Sequence, residues 1–139
     1  MKPRFILDAW AILALMQAEE PAASRVRQLL EQAQADRVEL FASMINVGEV
    51  TYIVGNAAGT PEAYRALDYI RSLSLRILAA TDEAVLAAAR NKIEHPISYA
   101  DAFAVAAAQE HQATLVTGDP ELLRLDGPVR IEMLSRNRP

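Results

Sequence analysis

The chain has 139 residues, 52% of them apolar, no cysteine, and a formal net charge of −4. That is enough for a core in one domain; the missing cysteines exclude disulfides, thiolate metal sites and thiol nucleophiles, and the negative balance excludes gripping nucleic acid by bulk positive charge. No apolar run approaches the roughly 20 residues that span a bilayer, and Met1-Lys2-Pro3-Arg4 leads into a strand pattern rather than a signal-peptide core, so a soluble, unprocessed, cytoplasmic protein without membrane partners is expected.

In chain order, Arg4-Phe5-Ile6-Leu7 is a short apolar run that ends at Asp8 and reads as a strand. Apolar residues at helical spacing follow over residues 9–17 and, after Glu20-Pro21, over 21–34. A second strand is predicted at 38–42, then helices at 44–56 and 61–72, with Gly55-Asn56-Ala57-Ala58-Gly59-Thr60-Pro61 as the break between them. A third strand at 75–78 leads to helices at 82–94 and 99–111, divided by His95-Pro96. Strands at 113–116 and 129–131 flank a short helix after Asp119, and Arg136-Asn137-Arg138-Pro139 reads as a frayed tail. Strands alternating with helices predict an α/β protein, a three-layer α/β/α sandwich around a central five-stranded, mostly parallel sheet, in a single domain spanning 1–139.

Four acids stand out on this frame. Asp8 and Asp119 each close an apolar strand pattern, where open parallel sheets place their ligands. Glu49 lies in a helical row with Ile45 and Ile53, and Asp101 in a row with Ile97, Val105 and Ala108, so both helices turn an acid toward apolar surroundings. Gly48, beside Glu49, costs a helix about 1 kcal/mol relative to alanine, which suits a close neighbour or ligand there. Ionised carboxylates facing a core are costly unless paired, and these helices offer no lysine or arginine at matching positions. A bound cation resolves the conflict, and oxygen-only donors suit magnesium or manganese rather than zinc.

Taken singly, each acid also has an ordinary role. Asp8 fits a strand-end turn, Asp119-Pro120 a helix N-cap followed by proline at N1, Ser98-Tyr99-Ala100-Asp101 a capping box, and Glu49 a partly exposed helix acid. His95 and His111 fit structural positions at helix ends, and neither GxxxxGK[ST] nor GxGxxG occurs.

In their order and spacing, Phe5-Ile6-Leu7-Asp8, Ile45-Asn46-Val47-Gly48-Glu49-Val50, Ser98-Tyr99-Ala100-Asp101-Ala102 and Leu115-Val116-Thr117-Gly118-Asp119 resemble the PIN-domain ribonucleases. The similarity is to the small VapC-type toxins of toxin–antitoxin pairs and covers nearly the whole chain. It implies a metal-dependent endoribonuclease that hydrolyses RNA phosphodiester bonds as the toxin of a type II system. Asp8, Glu49, Asp101 and Asp119 would be the catalytic, metal-binding acids, Thr117 a supporting residue, and Asn46 the match to a recurrent family asparagine. One or two Mg2+ or Mn2+ ions would activate the attacking water and neutralise the leaving oxygen, giving 5′-phosphate and 3′-hydroxyl ends. The implied partners are RNA, a small cognate antitoxin covering the active site, and a second copy in a homodimer, for which Tyr52-Ile53-Val54 and residues 64–70 supply apolar and aromatic surface.

One departure is visible: Ala9 and Trp10 stand where many members carry serine or threonine within two residues of the first aspartate. Trp10 reads as a core residue or as lining the entrance. Arg4, Arg71, Lys92 and Arg124 are candidate phosphate contacts. Two rivals remain: a receiver-like phosphoacceptor domain with Asp8 as acceptor, which predicts a lysine after a late strand where Thr117-Gly118-Asp119 stands, and a catalytically silent PIN-like binding module.

Overall fold

The computed structural model describes residues 1–137. Five strands, β1 (Arg4–Leu7), β2 (Glu39–Ser43), β3 (Arg76–Leu78), β4 (Thr114–Thr117) and β5 (Ile131–Met133), form one sheet in the order β3-β2-β1-β4-β5, with every pairing parallel. Helices α1 (Ala9–Met16) and α2 (Ala22–Gln34) connect β1 to β2, α3 (Met44–Ala58) and α4 (Thr60–Ser72) connect β2 to β3, α5 (Asp82–Glu94) and α6 (Tyr99–His111) lead to β4, and α7 (Pro120–Leu123) precedes β5.

The chain therefore begins in the middle of its sheet. It builds outward through β2 to β3, then returns past β1 to place β4 on the other side. The reversal falls between β1 and β4, whose Leu7 and Val116 are register partners. Such a switch point opens a crevice at the carboxyl ends of the two strands, and Asp8 and Asp119 follow those ends.

Alternation along the strands sorts side chains into two cores. Leu7 and Val116 face one, with Ile12, Val26, Leu29, Val50 and Ile70. Ile6 and Leu115 face the other, with Ile97, Phe103, Val105 and Leu122. Helices α1 to α4 cover the first face and α5 to α7 the second, which is the three-layer sandwich expected. Helix α6 is buried without interruption from Asp101 to Ala108; its alanines let it lie close against the sheet, and a helix apolar on nearly all sides belongs inside.

Three expectations need correction, two about boundaries and one about a side-chain contact. The stretch from Gly55 to Ala58 is helical, and α3 passes into α4 through Gly59 alone, at φ +96 and ψ 164. Gly55 is a packing residue and not a breaker: a Cβ there would lie 3.2 Å from that of Ala63 in α4. The tail is not frayed at Arg136 and Asn137. Leu134 donates its N–H to the Thr117 carbonyl (2.8 Å), Ser135 accepts from the Ala22 N–H (3.0 Å) and Asn137 donates to the Glu20 carbonyl (2.8 Å), while Arg136 pairs with Glu19 at 2.9 Å. Arg138 and Pro139 lie outside the described residues. Finally, Arg4 is a poor phosphate contact: it sits at the far end of β1 from Asp8, its guanidinium bound to Glu39 and the His111 carbonyl. Among the described residues no helix is long and apolar enough to cross a membrane.

Candidate active site

Asp8 leaves β1 in extended conformation and caps α1, its Oδ1 accepting the Ala11 N–H at 2.9 Å. Its other oxygen accepts the Thr117 hydroxyl at 2.5 Å. Both groups are buried, so the carboxyl is held by directed bonds rather than by water. The Thr117 oxygen in turn accepts the Asp119 N–H at 3.0 Å. Asp119 caps α7 through the Glu121 N–H at 2.9 Å, so the capping role expected of it is real and leaves its remaining lone pairs for the crevice.

Asp101 enters from the first turn of α6. The Ser98 hydroxyl caps this helix through the Asp101 N–H at 3.1 Å. In a complete capping box the Asp101 carboxylate would reach back to the Ser98 N–H; instead that N–H is bound at 2.5 Å by Glu121 Oε1, from α7. The box is shared between two helices, and the Asp101 carboxyl lies among Glu121, Ser98 and the other two aspartates. Sequence reasoning passed over Glu121. The available signal was weak: an aspartate at the last box position, one methylene shorter than the preferred glutamate, and a second acid directly after Asp119-Pro120.

One carboxylate oxygen from each of Asp8, Asp101 and Asp119 lies within 4.8 Å of the others. Glu49 stands outside this trio, half-buried on α3, with its Oε1 buried and without a hydrogen-bond partner among the described residues. Asn46 is wholly buried; its amide donates to the Ala100 carbonyl at 3.1 Å, tying α3 to α6 just before Asp101, and its Oδ1 is likewise unpartnered. The structure thus gathers three of the four acids and sets the fourth beside them.

Burial pushes the Asp8 carboxyl up to about 7, against the lowering pull of Thr117 and Ala11 and with help from Asp119 and Glu49. Asp101 is pushed up to about 8, first by burial, then by Asp119, by a hydrogen bond with Glu121 and by Asp8, with Ser98 opposing. Glu49 is raised by burial and by Asp119, with Asn46 opposing. No cation contributes to any of these shifts. Acids crowded together with raised pKa values and no positive partner are short of positive charge. A hard divalent cation with oxygen ligands fits that deficit. A receiver-like phosphoacceptor fits it poorly: no lysine acts on Asp8, and the strand order differs from the 2-1-3-4-5 order of receiver folds.

Trp10, the residue that departs from the resemblance, is half-buried against the first core, and its six-membered ring occupies the space a side chain at Gly118 would need.

Among solved structures the fold is similar to VapBC2 from Rickettsia felis bound to a promoter DNA fragment (TM-score 0.73, 17% identity, 95% of this chain and 99% of that one). It is also similar to DNA-bound VapBC from Salmonella typhimurium (0.71, 19%, 94% and 98%). A third similar structure is VapC20 from Mycobacterium tuberculosis, described as a Sarcin-Ricin loop cleaving toxin (0.64, 17%, 88% and 96%). No curated protein sequence matches. The PIN-domain family model matches residues 5–128, a span that contains Asp8, Glu49, Asp101, Asp119 and the switch point between β1 and β4. With the parallel sheet and the acids gathered at its carboxyl edge, that match establishes that the chain belongs to the PIN-domain family.

Proposed function

We propose that this PIN-domain protein is a divalent-metal-dependent endoribonuclease, acting as the toxin of a type II toxin–antitoxin system. The observation that carries the nuclease reading is the trio of carboxylate oxygens within 4.8 Å, with no lysine or arginine among the described residues acting on Asp8 or Asp101. Asp8, Asp101 and Asp119 would hold Mg2+ or Mn2+, one ion or two. When bound, the metal polarises the phosphate and makes water a better nucleophile.

The chain's own groups have distinct parts. Thr117 holds the Asp8 carboxyl in one orientation and fixes Asp119 through its N–H. Glu121 keeps Asp101 from turning back on its own helix. Glu49 Oε1, buried and without a hydrogen-bond donor among the described residues, is suited to accept a proton from the attacking water. Hydrolysis joins the water oxygen to phosphorus and breaks the P–O3′ bond, a proton ending on the 3′ oxygen, to leave 5′-phosphate and 3′-hydroxyl ends. RNA as substrate and an antitoxin as partner are supported by what the similar structures are: VapBC complexes, and a toxin that cleaves the Sarcin-Ricin loop. For the proposed homodimer, Tyr52 and Tyr64 are exposed and line an apolar cavity of about 410 Å3 between α3 and α4.

Incubation of a mixed RNA pool with Mg2+ or Mn2+ tests the reading. Cleavage is expected with metal, to be abolished by chelator and to fall about 100-fold or more in Asp101→Asn, the scale on which single electrostatic or proton-transfer groups act. Equal cutting by a folded Asp101→Asn protein would overturn the catalytic assignment.

A further inference from the structure

Trp10 is the only tryptophan in the chain and stands two residues after Asp8. A Cβ on residue 118 would lie 2.4 Å from its Cη2 and Cζ2 and 2.6 Å from its Cζ3, separations that real structures do not tolerate. Gly118 is not among the residues with positive φ, so the backbone does not require glycine there; the indole does. Gly118 is also the link between Thr117, whose hydroxyl binds Asp8, and Asp119. Elsewhere on the indole, the Arg136 guanidinium lies 5.0 Å from the ring centroid and is itself held by Glu19 at 2.9 Å. Leu134 fastens the same terminal segment to the Thr117 carbonyl.

We infer that Trp10 is a positioning residue for Asp119: its ring, braced by Arg136 and seated on Gly118, sets the course of the Thr117-Gly118-Asp119 turn and so the distance of Asp119 from Asp8 and Asp101. The inference rests on the metal-site reading above. A small hydroxyl after the first aspartate could tune the site through hydrogen bonds; an indole does so through volume, by filling the space into which the turn would otherwise relax. Ligand spacing within a few tenths of an ångström matters for metal affinity, and groups that orient ligands without touching the metal commonly account for 10- to 100-fold of it. The terminal segment becomes part of the site by the same contacts.

The test is Mn2+ affinity of the full chain, measured by isothermal titration calorimetry on metal-free protein, for the parent, Gly118→Ala, Trp10→Leu, the double variant and Asp119→Asn. Thermal unfolding in chelator accompanies each to establish folding. Gly118→Ala is expected to weaken Mn2+ binding about tenfold in the parent. In the Trp10→Leu background, where the six-membered ring is gone, the same substitution is expected to cost less than about threefold, the signature of two coupled neighbours. A merely structural role would lower the unfolding midpoint without this coupling in affinity. An equal effect of Gly118→Ala in both backgrounds, or none in the parent, overturns the inference while leaving the metal site standing. A parent that binds Mn2+ no better than Asp119→Asn overturns the metal reading and the inference with it.

Discussion

The Thr117 hydroxyl donates to Asp8 across 2.5 Å and 109 residues of sequence, joining the exits of two adjacent strands. Because the same oxygen accepts the Asp119 N–H, one small side chain serves two acids. Thr117→Val keeps the shape and the strand preference but takes the donor from a buried Asp8 oxygen and the acceptor from the half-buried Asp119 N–H. It is expected to destabilise the protein by about 1–3 kcal/mol and to weaken Mn2+ binding about tenfold, whereas Thr117→Ser preserves both; urea unfolding and calorimetry check the pair.

The raised carboxyls make a pH prediction with a definite sign. Asp8 and Asp101, ordinarily near 3.8, rise to about 7 and about 8 in the folded protein. The fold thus binds their protons more tightly than the unfolded chain does. Their contribution to stability is fully present below about 3.8 and is lost as pH climbs through 7 and 8. Over that upper range the metal-free melting temperature is expected to fall, and Mg2+ or Mn2+ to restore it, with metal affinity rising as protons leave. Scanning calorimetry between pH 6 and about pH 9, with metal and with chelator, reads both trends.

Asp101→Asn separates function from stability. Removing a buried charge that lacks a cation should raise the chelator-treated midpoint by about 3 °C or more at pH 8.5 or so, even as cleavage disappears. A lower midpoint there would mean that Asp101 has a stabilising partner other than a metal.

Glu121 offers a sharper probe of the shared cap. Glu121→Ala frees the Ser98 N–H, and Asp101 is the nearest carboxylate on the same turn to take it. Cleavage should fall about tenfold or more. Glu121→Gln, which keeps an acceptor oxygen for Ser98, should retain most activity in a plate assay of RNA cutting. Similar losses in both variants would mean that the negative charge of Glu121, and not its cap, is what the site uses.

At the joint of α3 and α4, Gly59→Ala places a side chain at φ +96, which only glycine adopts without strain. A loss of about 1–3 kcal/mol is expected, measured by urea unfolding, with Mn2+ affinity unchanged because the joint carries no acid of the site.

Much of this was legible in the residues themselves. Helical spacing located the helices, and the bounds of α5 and α6 at Asp82–Glu94 and Tyr99–His111 coincide with the pattern because Thr81 and Ser98 cap their starts and His95-Pro96 divides them. Strand ends slipped by one residue at β2 and two at β5, in both cases toward the carboxyl end, where pairing runs on past the expected apolar run to Ser43 and Met133. Gly55 misled because local propensity cannot register a neighbouring helix; Ala63 is what makes glycine useful there. Arg136 misled because a terminal arginine has no periodic signal, and its partners Glu19 and Trp10 are more than 100 residues away. The acids were visible as anomalies on strands and helices, but the capping of Ser98 by Glu121 exists only in the folded arrangement.

The strand order has a consequence for synthesis. Since β1 is central and β4 is its other neighbour, a growing chain can pair β1, β2 and β3 and still hold Asp8 against an open edge. Asp101 and Asp119, and the hydroxyl that orients Asp8, arrive only when most of the chain has left the ribosome. On the proposed function, a chain wired in this way carries no assembled site as a nascent fragment and completes it only when β4 takes its place beside β1.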